Sequence, residues 1–448
     1  MWHRFPAGFL WGAATSSHQV EGGNTHSDWW AAEASGRVPV ASGDAVDHRR
    51  LWGADLDQLA DAGLNAYRFS VEWARLEPEQ GVWRDEEMDR YRAMVAGCRA
   101  RGLEPMVTLY HFTLPQWVAA RGGWRWRGAV PAFAAYAGRV AAALGASVTL
   151  YCVLNEPVVL ALQSQLHGQW PPHGRSAWRA WRVAGRLLAA HRAARASVLR
   201  VQPEARLGVA KHMVHFRPLR PAHSGDRRMA VLVAWIFNHL WTRAARRHLD
   251  WLGVNYYTVM YCDSGLRLGR WQPQLVQARG GRQTEIGWEV HPDGLRRVLM
   301  VASRLGLPLY VTENGIASLD DGWRQTFLRR HLRAAARAVA AGADLRGYFH
   351  WSLLDNFEWA EGFAMHFGLV AVERESMERL ARPSLAYLGG IARQNGVPRG
   401  AGVVDAPPPP ALAGPAGAAP LAPPAEPGAQ PPSGVDGPLS AKRASTRR

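Results

Sequence analysis

Along the first 395 residues, short runs of nearly unbroken apolar character alternate with longer stretches whose apolar positions recur every three to four residues. The short runs predict eight strands, at 9–15, 66–72, 104–111, 148–155, 206–211, 251–257, 307–313 and 345–352. The periodic stretches predict helices at 55–62, 86–101, 131–144, 177–201, 294–305 and 325–341. Strands that are apolar on both faces belong in a parallel sheet covered on each side. Eight of them, separated by helical segments, predict an α/β chain closed into a single (β/α)8 barrel of the TIM type. An open doubly wound sheet is the alternative, but no glycine-rich phosphate loop follows the first strand to support it.

After Asn395 the pattern stops. Residues 396–448 hold 13 of the 29 prolines, no aromatic residue and the run Pro407-Pro408-Pro409-Pro410. Such a segment has too little apolar surface to offset the entropy of ordering, so it reads as a disordered tail behind a catalytic domain at 1–395.

The polar residues that interrupt the strands gather at their C-terminal ends, where barrels of this kind carry their chemistry. Arg68, His111, Asn155 with Glu156, Asn255 with Tyr257, Glu313 and Trp351 all fall there. Two acidic motifs stand out: Leu154-Asn155-Glu156-Pro157 and Thr312-Glu313-Asn314-Gly315, each closing an apolar run. A carboxylate at the end of a buried strand is costly unless partners satisfy it. Two of them, 157 residues apart, meet only in a fold that brings strand ends together. Each could singly be a structural carboxylate capping the next turn; as a pair they suit glycosidic bond cleavage.

Composition changes this picture little. The net charge is +16 and nearly all of it is arginine, Lys211 and Lys442 being the only lysines. The arginines are spread over helical faces with no nucleic-acid-binding motif beside them, so a solvated surface is expected and no nucleic-acid partner. Tryptophan is abundant at 21 copies, which suits sugar stacking and core filling equally. Cys98, Cys152 and Cys262 are odd in number and far apart, consistent with buried free thiols and with neither a disulfide framework nor a metal site. No stretch reads as long and apolar enough to span a bilayer. The expectation is a soluble cytoplasmic protein without membrane, metal or cofactor; oligomeric state is not legible.

Longer motifs then add a resemblance. Phe9-Leu10-Trp11-Gly12-Ala13-Ala14-Thr15-Ser16-Ser17-His18-Gln19-Val20-Glu21-Gly22, Tyr67-Arg68-Phe69-Ser70-Val71-Glu72-Trp73 and the two glutamate motifs occur in order, followed by further motifs. These are Gly253-Val254-Asn255-Tyr256-Tyr257-Thr258 and Trp351-Ser352-Leu353-Leu354-Asp355-Asn356-Phe357-Glu358-Trp359. Over about 390 residues the chain resembles the family 1 glycoside hydrolases, retaining enzymes of the β-glucosidase type. The resemblance implies Glu156 as general acid/base and Glu313 as nucleophile, with Arg68 and Tyr257 supporting Glu313. It implies a sugar pocket of Gln19, His111, Asn155, Glu358 and Trp359, with Asn155 on the 2-hydroxyl, Trp351 beneath the ring and Phe367 at one side. Retention requires the two carboxyls about 5–5.5 Å apart. Glu156 is expected to carry a raised pKa from burial and from Glu313, while Arg68 keeps Glu313 ionised.

Two details narrow the substrate. Glu358 is an acid where a phosphate-recognising branch carries polar and basic groups, so an unphosphorylated sugar is expected. Glu156 has not become Gln, so acid catalysis on an O-glycoside is retained. Two departures matter as well. Phe112 follows the pocket histidine where many relatives have Trp, and the stretch between Asp226 and Asp250 passes from helix into the sixth strand without the usual longer loop. The leading expectation is a β-glycosidase acting on small-molecule β-glucosides, with β-galactosides and β-fucosides as further candidates. The rivals are a catalytically silent sugar-binding protein on the same fold and a transglycosidase.

Overall fold

The computed structural model describes residues 2–399 apart from 268–269, 272–273 and 277–281. Eight parallel strands close on themselves: β1 (Leu10–Ala14), β2 (Ala66–Ser70), β3 (Glu104–Thr108), β4 (Leu150–Asn155), β5 (Arg206–His212), β6 (Trp251–Asn255), β7 (Leu309–Asn314) and β8 (Leu345–Trp351). β8 returns to β1 through Gly347↔Leu10 to Trp351↔Ala14, which closes the ring. Around it run α1 (His48–Asp61), α2 (Asp85–Ala100), α3 (Ala129–Leu144), α4 (Ala177–Val201), α5 (Ser224–Ala234), α6 (Pro292–Ser303), α7 (Asp321–Ala340) and α8 (Pro383–Gln394). The barrel and its eight strands are those expected from the pattern. Helix starts are less legible: α1 begins seven residues before the predicted 55, because His48 is buried on Asp55 and takes the first turn inward.

Two apolar layers follow from strands buried on both faces. Ala66, Met106, Cys152, Ala210, Trp251, Tyr310 and Phe349 fill the barrel interior. Leu109, Val153, Leu207, Leu252, Val311 and Tyr348 face the helices. The interior admits Trp251 only because its neighbour is Gly208: a Cβ there would lie 2.3 Å from the indole.

Two expectations are corrected. The helix through Ala129–Ser147 has a mean hydropathy of 1.3 and is long and apolar enough to cross a membrane by composition, contrary to the sequence reading. It is a barrel-ring helix: Phe133, Tyr136, Val140 and Ala141 are buried, and the Tyr136 hydroxyl donates towards the Val71 and Leu109 carbonyls. The expected domain end at Asn395 falls inside ordered chain, since Gly396–Pro398 pairs antiparallel with Trp2–Arg4. Residues 400–448, most of the expected tail, lie outside the described residues.

Gly208→Ala is expected to lower stability by about 1–3 kcal/mol through overpacking on Trp251. The thermal midpoint reads this, with partial recovery when Trp251→Phe is added. An unchanged midpoint would contradict the packing account.

Candidate active site

Backbone irregularities at the strand ends place the two acids. Glu156 follows β4 with φ +43°, a left-handed conformation that a non-glycine residue holds only under constraint. Its N–H donates to the Ala210 carbonyl of β5 at 2.8 Å, and Pro157, suited to a first helical position, opens a short helix immediately after. In β7 the pairing register slips between Val311 and Glu313 against β6, and between Val311 and Asn314 against β8. A slip breaks the in–out alternation and re-aims the strand's last side chains. Gly315 then lets the chain leave against β8: a Cβ there would stand 1.7 Å from the Trp351 carbonyl oxygen.

One guanidinium joins the ends of several strands. Arg68, 1% exposed, donates to Glu313 Oε1 at 2.6 Å, to the Thr312 carbonyl at 3.1 Å, to Asn155 Oδ1 at 2.8 Å and to Thr108 Oγ1 at 3.2 Å. Tyr257 donates its hydroxyl to the other Glu313 oxygen at 2.7 Å. Asn255 Nδ2 bridges to Glu156 Oε1 at 2.8 Å and Asn155 Oδ1 at 3.2 Å, while its own oxygen accepts from Thr312 Oγ1 at 2.6 Å. Both carboxyls thus sit in one continuous network, each with its own donors.

The remaining expected residues surround this network. Gln19 Nε2 lies 3.2 Å from Glu358 Oε2 and also meets Asn356 Oδ1 and the Phe357 carbonyl. The Trp351 indole donates to Glu358. The His111 ring lies nearly parallel to Trp351 and Trp359, at centroid distances of 5.8 and 6.1 Å. Its Nε2 meets Asn155 Nδ2 at 3.1 Å, and its Nδ1 is buried without a protein partner among the described residues. Phe367 stands edge-on to Tyr257 at 6.1 Å. Phe112, the expected departure, has φ +76° and packs on Trp170 and Trp359 at 4.7 and 5.3 Å. A set of hydroxyl-binding amides, an imidazole and an acid beside flat indoles is what a sugar ring requires. No group of three or more metal-ligating side chains gathers among the described residues.

The protonation pattern differs from the expected one. Burial would raise Glu156, but His212, with Nδ1 3.5 Å from its Oε1, together with Asn255 and Lys211, holds it below the usual range. Burial lifts Glu313 to about 7, against Arg68 and with the Glu156 charge adding to the rise. The expectation of a raised Glu156 beside a low Glu313 is therefore reversed. The reason is the pair of basic residues at the end of β5, which the sequence reading did not use. Glu358 is also corrected: burial and the two acids lift it to about 8, so near pH 7 it is mainly a neutral acid and not a carboxylate.

Lys211 is fully buried, donates to the His212 carbonyl and stands 4.2 Å over the Phe237 ring; burial pulls it down to about 7. The predicted strand stopped at 211, one residue short of His212. The rarity of lysine in this chain was the available signal. Asn255, noted only as a strand-end residue, proves to be the direct link to Glu156.

A closed (β/α)8 barrel with paired acids after β4 and on β7, ringed by sugar-compatible side chains, defines a glycosidase-type site. The family model for glycosyl hydrolase family 1 matches residues 1–247 and 242–397, and the chain belongs to that family. The two matched stretches overlap at 242–247, between α5 and β6. A β-glucosidase A of Thermotoga maritima is 31% identical over 88% of this chain and 99% of its own. A bifunctional β-D-glucosidase/β-D-fucosidase of Bifidobacterium breve is 34% identical over 86% and 97%. The solved structure of a β-glycosidase from Pyrococcus horikoshii superposes with a TM-score of 0.84, at 37% identity over 89% of this chain and 97% of that one.

Two pH effects follow. The Tyr257 hydrogen bond lowers Glu313, so Tyr257→Phe lets Glu313 keep its proton to higher pH. The alkaline limb of kcat/KM on an aryl β-glycoside then moves upward from near 7, and an unmoved limb would contradict this. Conversely His212→Asn removes the charge that holds Glu156 down. Glu156 keeps its proton to higher pH and the acid limb moves upward; a downward shift would refute the assignment.

Proposed function

We propose that this chain is a retaining β-glycosidase acting by double displacement on unphosphorylated β-O-glucosides, with β-galactosides and β-fucosides as further substrates. The observation that carries this is the network in which Arg68 and Tyr257 hold both Glu313 oxygens while Asn255 holds Glu156. Glu313 attacks the anomeric carbon, and Glu156 passes its proton to the leaving glycosidic oxygen. The covalent glycosyl ester is then hydrolysed by a water that Glu156 deprotonates, and Glu313 leaves as a carboxylate.

Below about pH 7 the two acids hold one proton between them. The productive form carries that proton on Glu156 and the charge on Glu313, next to the permanent charge of Arg68. A sugar seated on Trp351 excludes water from between the acids and strengthens the Arg68 interaction. Asn155 donates to the 2-hydroxyl, and the unpartnered Nδ1 of His111 serves a further hydroxyl. Glu358 with Gln19 offers acceptors and a donor but no cation, which supports a neutral sugar over a 6-phosphate. The names of the relatives support the same sugar set. Three free, buried cysteines support a reducing compartment such as the cytoplasm.

Aryl β-glycosides test the proposal. Wild type should release the aryl group with retained anomeric configuration, read by proton NMR of the first product. Glu313→Ala should lose turnover, with azide partly restoring it as a glycosyl azide of inverted configuration. Glu156→Gln should lose about 10²–10⁴-fold on a poor leaving group. An inverted first product from wild type would sink the nucleophile assignment, and no release from any glycoside would sink the function.

A further inference from the structure

The outer ring carries an apolar face beside the barrel mouth. Trp178 and Trp181 in the first turns of α4 are 66% and 60% exposed. Val231, Leu232, Trp235 and Ile236, at the end of α5 and into the wide helical turn that continues it, are 45–72% exposed. Exposed apolar groups concentrated on one face of a soluble protein mark a surface that meets something.

The two helices bring these residues to one level. Trp241 Nε1 donates to the Ala184 carbonyl, and His191 Nε2 meets the His248 carbonyl, each across the same 57 residues. A constant offset means that α4 and the helix continuing α5 run parallel, side by side. Six residues toward the mouth from Ala184 and Trp241 stand Trp178 and Trp235, about level with each other. Both helices start at the C-terminal ends of their strands, so this level is the catalytic end of the barrel.

Charge selects the occupant. Residues 157–203 contain seven arginines and no aspartate or glutamate. Between 205 and 249 the one acid is Asp226, which is buried and paired with Arg220. Arg179, Arg182, Arg227 and Arg228 are exposed on the same helices, and Arg179, Arg182 and Arg228 have no ion pair among the described residues. A second copy docking here by two-fold symmetry would face arginine with arginine across the apolar patch. Tryptophan and aliphatic side chains flanked by arginine without acids suit the interface of an acidic bilayer, with indoles at headgroup depth and guanidiniums on lipid phosphates.

We propose that this α4–α5 rim is a peripheral docking surface for an anionic lipid bilayer, presenting the barrel mouth toward the headgroups. Glycosides with an apolar aglycone seated in that bilayer then reach the site without leaving the membrane surface. The inference revises the membrane-free expectation drawn from composition, which saw dispersed arginines and not their juxtaposition with exposed tryptophan.

The test is co-sedimentation of the full chain with phosphatidylcholine vesicles containing about a third phosphatidylglycerol, against pure phosphatidylcholine. Binding is expected to the mixed vesicles only and to weaken as salt is raised. Trp178→Ser with Trp235→Ser, which leaves the charge unchanged, should lower the partition coefficient about tenfold or more while activity on a soluble aryl glycoside is retained. A second variant, with Lys442, Arg443, Arg447 and Arg448 all changed to Ala, should bind as wild type. The proposal is overturned if the mixed vesicles leave the chain in solution. It is equally overturned if the tail variant and not the tryptophan variant loses binding, or if light scattering shows a dimer that the tryptophan substitutions dissociate.

Discussion

Burying a guanidinium without exposed water around it is costly unless every donor finds an acceptor, and the mouth of this barrel is organised around that requirement. Arg68 meets it with acceptors drawn from β3, β4 and β7 while itself extending from β2. The same bonds orient Glu313 and Asn155. Geometry and charge at the site are therefore one problem with one solution, because the groups that satisfy the cation include one of the paired acids and the amide next to the other. The register slips in β7 and the left-handed Glu156 are the backbone's contribution to that solution.

The second acid has a different kind of support. Glu156 rests on an amide from Asn255 and on the imidazole of His212, with buried Lys211 behind it. Arginine carries its charge at every working pH, whereas burial pulls the Lys211 ammonium down to about 7. The cation beside Glu313 is consequently constant, and the ammonium behind Glu156 responds to the solution. An acid that must hold a proton in one half-reaction and lack it in the next benefits from surroundings that can change with it.

Outside the mouth, the helical ring divides its work. α3 turns its strongly apolar surface inward and is consumed by the barrel, despite a composition that would suit a membrane. The start of α4 and the end of α5 with the helical turn beyond it keep tryptophan and aliphatic groups outside, beside arginines without acidic neighbours. Hydropathy along the chain ranks these segments in the reverse order of their exposure. What matters is which face packs on the strands, and that depends on neighbours far away in sequence.

The barrel is legible in the residue pattern, because strands apolar on both faces leave a parallel, doubly covered sheet as the arrangement that buries them. The pattern also gathers Arg68, Asn155, Glu156, Tyr257 and Glu313 at the C-terminal strand ends, where the structure brings them into one network. Helix starts such as His48, the pairing of Gly396–Pro398 with Trp2–Arg4 and the role of His212 were hidden, because each depends on a partner distant in the chain. The order in which the two acids titrate comes from their three-dimensional surroundings. Residue type supplies a carboxyl, but its proton is held or lost according to burial and to the charges within a few ångströms, and those are set by how eight strand ends converge.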